Sequence, residues 1–139
     1  MKKIILAMVA VMVPLMLSAG STDFWFRHFS VEDGLSSSAV RAIMQDKYGF
    51  MWLGTDDGLN RYDGTTIKIY RLNPEGVNDY ISFLYDTTDR IWIGTGDGVY
   101  IYDYETENFE PFKLLTAKGD SIKTNVNHIA EDRDGNLWF

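Results

Sequence analysis

One pattern recurs three times and limits the folds open to this chain of 139 residues. Trp52, Trp92 and Trp138 each follow an aspartate six residues earlier: Asp46, Asp86 and Asp132. The first two copies lie 40 residues apart, and the second and third lie 46 apart. After the tryptophan come Gly54-Thr55 and Asp57-Gly58 in the first copy, then Gly94-Thr95 and Asp97-Gly98 in the second. The third copy starts at Val126, runs through Asp134-Gly135-Asn136-Leu137 and reaches Trp138-Phe139. Self-similarity at periods of about 20–50 residues belongs to solenoids, propellers and repeat arrays.

Each copy reads as strands. Val40, Ala42 and Met44 alternate with Arg41, Ile43 and Gln45, and Ile67 and Ile69 alternate with Lys68 and Tyr70. Period-two patterning in β-branched and aromatic residues is the strand signal. Between the runs stand Asp46-Lys47-Tyr48-Gly49, Asp56-Asp57-Gly58 and Asp63-Gly64. Aspartate starts turns through its side chain, and glycine supplies positive φ. Four short antiparallel strands joined by tight hairpins, repeated every 40–45 residues or so, have the size of a propeller blade. The predicted fold class is all-β, an incomplete β-propeller of about two and a half four-stranded blades. The repeats fall at about 36–75, 76–115 and 116–139, the last incomplete. Phe24–Phe29 alternates like a fourth strand and reads as an orphan that closes a ring against a last blade. Trp52, Gly54, Thr55, Gly58, Trp92, Gly94, Thr95, Gly98, Gly135 and Trp138 mark the structural motif. Tryptophans filling the space between blades would account for a 14% aromatic share without any ligand.

Residues 1–20 read as an export signal. Lys2 and Lys3 precede an apolar run from Ile4 to Leu17, and Ser18-Ala19-Gly20 supplies a small-residue cleavage site. The run is shorter than the roughly 20 residues of a spanning helix. The predicted mature part, 21–139, carries 11 basic against 20 acidic residues, a formal charge of −9. Such a balance argues against a nucleic-acid contact, which calls for a basic stripe. With no cysteine in the sequence, a lipid-anchored amino terminus, a disulfide framework and a thiol nucleophile are excluded. The incomplete third copy predicts a piece of a longer propeller, with an open sheet edge that makes 21–139 alone marginal or aggregating.

Glu32-Asp33-Gly34-Leu35-Ser36-Ser37-Ser38-Ala39-Val40, followed by Gln45 through Gly64, resembles the two-component-regulator propeller repeat. The resemblance extends over about residues 24–139, with Gly96 in place of Asp56 and Val99-Tyr100 in place of Leu59-Asn60 in the second copy. It implies the amino-terminal periplasmic sensor of a hybrid two-component histidine kinase, a phosphorelay protein anchored in the inner membrane. Such relatives join propellers to a membrane span, a kinase and a receiver, and many sense oligosaccharides released from polysaccharides. The implied partners are an oligosaccharide ligand for the complete sensor, the remaining blades of the parent chain, and a second copy in a homodimer. No cofactor and no catalysis are implied for this segment. The family's ligand contacts lie largely beyond the first three repeats, so the resemblance assigns none of these residues to a ligand.

The residues leave two rival readings: an exported propeller lyase or glycosidase, and a short secreted interaction protein that closes its ring by oligomerising. Glycosidases need paired carboxylates, whereas the repeated aspartates here sit in predicted turns. Asp132-Arg133-Asp134-Gly135-Asn136 invites a calcium reading but lacks the later glutamate of such loops, and the other copies do not keep its spacing. His28 and His128 stand about 100 residues apart with no metal-ligand spacing. Ser36-Ser37-Ser38 is no nucleophile elbow. Asp56, Asp57, Arg61 and Tyr62 are the ligand candidates, able to reach a sugar only if they face an open end of the propeller; the same residues suit turns and hairpin pairing.

Overall fold

The computed structural model describes residues 25–73 and 80–139. The export signal read at 1–20 lies outside the described residues. The chain enters along an extended stretch, 25–30, that has no strand partner among the described residues. Trp25 and Phe26 there are exposed. A 3-10 turn, Val31–Asp33, follows. Ser30 caps it: its hydroxyl accepts from the Glu32 N–H at 3.2 Å, and Asp33 accepts in return from the Ser30 N–H at 2.8 Å. Among the described residues there is no α-helix.

Eight strands then form two sheets of the same design. Strands β1 (Val40–Gln45), β2 (Met51–Thr55), β3 (Gly58–Tyr62) and β4 (Ile67–Tyr70) pair antiparallel in sequence order. Strands β5 (Ile81–Asp86), β6 (Arg90–Thr95), β7 (Gly98–Asp103) and β8 (Asn108–Phe112) repeat the arrangement. The registers coincide: Trp52 opposes Arg61 in the first sheet, and Trp92 opposes Ile101 in the second. Both first strands carry an irregularity, between Val40 and Ala42 and between Ile81 and Phe83. Pro111 is tolerated because β8 is an edge strand, where a missing N–H breaks no ladder. Two short hairpins follow, β9 (Leu114–Leu115) with β10 (Ser121–Ile122), and β11 (Ala130–Glu131) with β12 (Leu137–Trp138).

The sheets stack face to face, with β1 and β2 beside β5. The repeat glycine permits this approach. A Cβ on Gly54 would stand 2.5 Å from Ile81 Cγ2, and one on Gly94 would stand 2.8 Å from the Val126 carbonyl oxygen. Thus the same position in two copies seats the start of the next copy. Between the sheets lie Trp52, Leu59, Ile81, Ile91 and Ile93, all fully buried, with Leu84 and Tyr102. A second cluster joins Val99, Val126 and Ile129, with Trp92 and Phe83 against it.

The three repeat tryptophans grade from buried to exposed along the chain. Trp52, between two sheets, is 0% exposed, whereas Trp138, with no further sheet beside it among the described residues, is 64% exposed. The period-two pattern does not translate into alternating burial in the middle strands. Gly58, Leu59 and Asn60 are consecutive and all buried. Leu59 faces the second sheet, while Asn60 faces the Leu35–Ala39 stretch that folds over the first sheet's other side. Strands covered on both faces lose the polar-out half of their pattern.

Candidate functional site: a cleft between the first two sheets

Asp46 organises one end of the stack. Its Oδ1 accepts from the Tyr48 and Phe50 N–H groups at 2.9 and 3.0 Å, and its Oδ2 accepts from Trp52 Nε1 at 2.7 Å. Asp132 does the same in the third copy, accepting from the Asp134 and Asn136 N–H groups at 2.9 Å and from Trp138 Nε1 at 2.9 Å. These donors hold its carboxyl down at about 2, the Asn136 side chain contributing most. The oxygens that a calcium reading needs are therefore engaged in a turn. The second copy differs, because Asp89 stands where Gly49 turns at φ +89°. There the Thr87 N–H closes a tighter turn onto the Arg90 carbonyl at 2.9 Å. Asp86 accepts instead from the Tyr104 hydroxyl at 2.9 Å and from the Lys47 N–H of the first copy at 3.3 Å. Lys47 Nζ reaches the Thr88 carbonyl.

This latch borders a cleft of about 290 Å³ between the facing sheets. One wall is Phe50 and Arg61 from the first sheet, and the other is Tyr102, Tyr104 and Glu107 from the second. Tyr48 stands at the mouth, 63% exposed, with its ring edge-on to Tyr104 at 5.2 Å. The Arg61 guanidinium lies 4.7 Å from the Phe50 ring centre and 5.7 Å from that of Trp52. It donates one long hydrogen bond, 3.4 Å, to the Tyr102 hydroxyl. Among the described residues no carboxylate lies within ion-pair distance of it. Burial pushes the Tyr102 phenol up, and burial followed by the Asp86 carboxylate pushes the Tyr104 phenol up further, so both stay protonated near neutrality.

The four ligand candidates from the sequence do not form one group. Asp56 and Asp57 sit in the β2–β3 turn, where Asp56 pairs with Arg41 at 2.7 Å and Asp57 with Arg71 at 2.8 Å. Arg61 and Tyr62 sit at the far end of β3, about 13 Å away at roughly 3.3 Å per residue. Arg61 and Tyr62 also point to opposite faces, as neighbours on a strand must. Tyr62 accepts from Arg27 at 2.8 Å, donates to the Gly64 carbonyl, and packs on Phe29 with ring centres 4.8 Å apart. Only Arg61 lines the cleft.

Thr55 and Thr95 occupy the turns: each donates from its hydroxyl to the carbonyl of the repeat glycine, Gly58 at 2.9 Å and Gly98 at 3.0 Å. Gly58, Gly98 and Gly135 all hold positive φ. His28 and His128 are exposed, the latter 4.5 Å from the Phe83 ring. Ser36 bonds Asn60 and Thr55, and Ser37 accepts from the Ala39 N–H. Among the described residues no group of three or more His, Asp or Glu side chains is placed to share a metal. Sequence reading passed over Tyr48, Tyr104 and Glu107, whose signal is a departure from the repeat.

Four-stranded antiparallel sheets stacked face to face, each seating the start of the next copy on a glycine, are consecutive blades of a β-propeller. The model of the two component regulator propeller family matches residues 34–57 and 121–139, in the first and third copies. The first and third copies are thus similar to two-component regulator propeller repeats.

Over 59 residues, 42% of this chain, it is 56% identical to Histidine kinase P4 of Formosa agariphila. Two solved structures from B. thetaiotaomicron share the fold, both extracellular domains of hybrid two component systems. The BT3049 domain superposes with a TM-score of 0.68 over 81% of this chain at 31% identity, and the BT4673 domain with 0.60 over 83% at 23%. The chain spans 17% of each solved domain and 4% of the curated kinase.

Proposed function

We propose that this chain is the first part of the extracytoplasmic sensor of a hybrid two-component system, and that the complete sensor responds to an oligosaccharide. The observation that carries the reading is the two-component regulator propeller repeat, built as two stacked blades and similar at 31% identity to an extracellular domain of a hybrid two component system. In this reading residues 1–20 export the chain, residues 21–139 start the propeller, and the segment itself catalyses nothing. Its carboxylates support that: Asp46 and Asp132 serve turns, and Asp56 and Asp57 pair with arginines. Signal output then belongs to a kinase elsewhere in the parent protein, on the far side of the inner membrane.

The test is phosphorylation of the complete protein in membrane vesicles, with a panel of neutral and acidic oligosaccharides added on the sensor side. The expected result is phosphate incorporation from ATP that changes with one class of glycan. A complete protein that incorporates no phosphate, or whose incorporation ignores every glycan, would sink the corresponding half of the reading.

A further inference from the structure

We propose that Asp134-Gly135, in the β11–β12 turn, is a site of self-modification: the Gly135 nitrogen closes on the Asp134 carboxyl as a cyclic imide, and water reopens it to a β-linked aspartate. The inference stands independently of the sensor reading above. The chemistry needs nothing beyond the chain and water. The nitrogen attacks the carboxyl carbon in its neutral form, an N–C bond forms, the C–OH bond breaks, and the hydroxyl leaves as water with the nitrogen's proton. Water then adds to either carbonyl of the five-membered imide, returning aspartate or its isomer. A following glycine suits the attack because no Cβ crowds the nitrogen. Five aspartates precede a glycine: Asp33, Asp57, Asp63, Asp97 and Asp134. Sequence alone does not rank them.

The structure does. Asp33 accepts from the Ser30 N–H and hydroxyl at 2.8 and 2.9 Å. Asp57 pairs with Arg71 at 2.8 Å. Asp63 accepts from the N–H and hydroxyl groups of both Thr65 and Thr66 at 2.7 to 2.8 Å. Asp97 shares the Thr95 hydroxyl, 3.1 Å away, with the Gly98 carbonyl. Each of these bonds must break before the carboxyl can turn onto the nitrogen that follows it. Those on Asp33 and Asp63 also hold the carboxyl below its ordinary range, ionised and without a leaving group. Gly58 and Gly98 are in addition buried at the start of strands. Asp134 is exposed, and its carboxylate has no hydrogen-bond or ion-pair partner among the described residues. A Cβ on Gly135 would meet Glu131 Oε1 alone, at 3.8 Å, so the turn has room to move. The hairpin that carries it has two paired residues on each strand, the kind of element that opens most readily. Asp120 is followed by Ser121, whose Cβ crowds the nitrogen. The isomer adds a carbon to the main chain of the turn that presents the Asn136 N–H and Trp138 Nε1 to Asp132.

The test is labelling of the 139-residue chain in heavy-oxygen water at mildly acid pH, followed by proteolysis and mass spectrometry of the Asp-Gly peptides. Each imide opened by the solvent leaves a heavy oxygen at its aspartate, and electron-transfer fragmentation separates the β-linked isomer from the parent. A urea transition followed by tryptophan fluorescence first marks the folded range. Below it, label should enter Asp134 about tenfold faster than Asp33, Asp57, Asp63 or Asp97, the scale of one hydrogen bond added to a barrier. In urea above the transition the five rates should converge. Asp134→Glu, whose imide ring is six-membered and closes slowly, should abolish labelling there and leave the urea transition in place. Equal labelling of all five pairs in the folded chain, or fastest labelling at any of the other four, would overturn the assignment. A chain without a urea transition would overturn it as well, because the fold is what selects Asp134.

Discussion

Trp52 donates its indole N–H to Asp46 at 2.7 Å inside the stack, where Trp52 is fully buried and Asp46 nearly so. The same carboxylate accepts two main-chain N–H groups of its own turn. One side chain therefore ties the β1–β2 turn to the inter-sheet core. Asp46→Ala strands three donors, and a buried unpaired polar group costs about 1–3 kcal/mol. The expected loss is about 3 kcal/mol in urea denaturation followed by tryptophan fluorescence. Asp132→Ala, in the exposed copy, should cost clearly less, because water reaches Trp138. Equal losses would show that the buried indole bond adds nothing.

Gly54→Ala places a methyl 2.5 Å from Ile81 Cγ2. The neighbour is a fully buried β-branched side chain with little freedom to retreat. Overpacking of this kind costs about 1–3 kcal/mol. Ile81→Ala alone should cost about 2–5 kcal/mol through the cavity it leaves. Combined, the two substitutions should cost less than their sum, because the added methyl occupies part of that cavity. Strict additivity in a double-mutant cycle would mean that the glycine is not serving the blade contact.

Asn60 is fully buried and spends its amide on the segment that precedes β1. It accepts from the Ser36 N–H at 2.9 Å and donates to Ser36 Oγ at 2.8 Å and to the Leu53 carbonyl at 3.1 Å. Asn60→Ala should cost about 2 kcal/mol and speed amide exchange at Ser36 more than at β6. An unchanged Ser36 exchange rate would show that the segment is held by Leu35 packing alone.

Acid should loosen the turns. Asp132 titrates at about 2 in the folded chain, below its ordinary 3.8. Asp63 lies lower still, held by the Thr66 N–H first and then by Thr65, and Asp103 is lowered chiefly by the Thr106 N–H. Each carboxylate has its pKa depressed by folding, so its contribution is complete above about pH 4 and disappears as the pH falls through the folded value. The thermal midpoint should therefore be flat from about pH 7 to 5 and drop between about 4 and 2. A midpoint that holds to pH 2 would contradict this assignment, and an NMR titration of the Asp132 carboxyl measures it directly.

The fold class was legible because its signals are local. Alternating β-branched and aromatic residues mark strands, and Asp-Gly pairs mark turns, whatever surrounds them. The candidate site was barely legible. Of Asp56, Asp57, Arg61 and Tyr62, adjacent in sequence around one hairpin, the strand sends two to each end and points Tyr62 away from the cleft. Tyr104 and Glu107 join Arg61 from a second sheet some forty residues later, a juxtaposition no local pattern encodes.

From the sequence alone follow the repeat, its strands and hairpins, its acidic balance and its resemblance to two-component regulator propeller repeats. Tertiary structure alone decided that Gly54 and Gly94 exist to seat Ile81 and Val126, that Asp86 leaves its tryptophan for Tyr104 and Lys47, and that Arg61 stacks on rings with no carboxylate in ion-pair reach among the described residues. The reason is physical. Backbone pairing is fixed by neighbours along the chain and across a hairpin, whereas contacts between sheets depend on which faces meet, and period-two patterning names the faces without naming their partners.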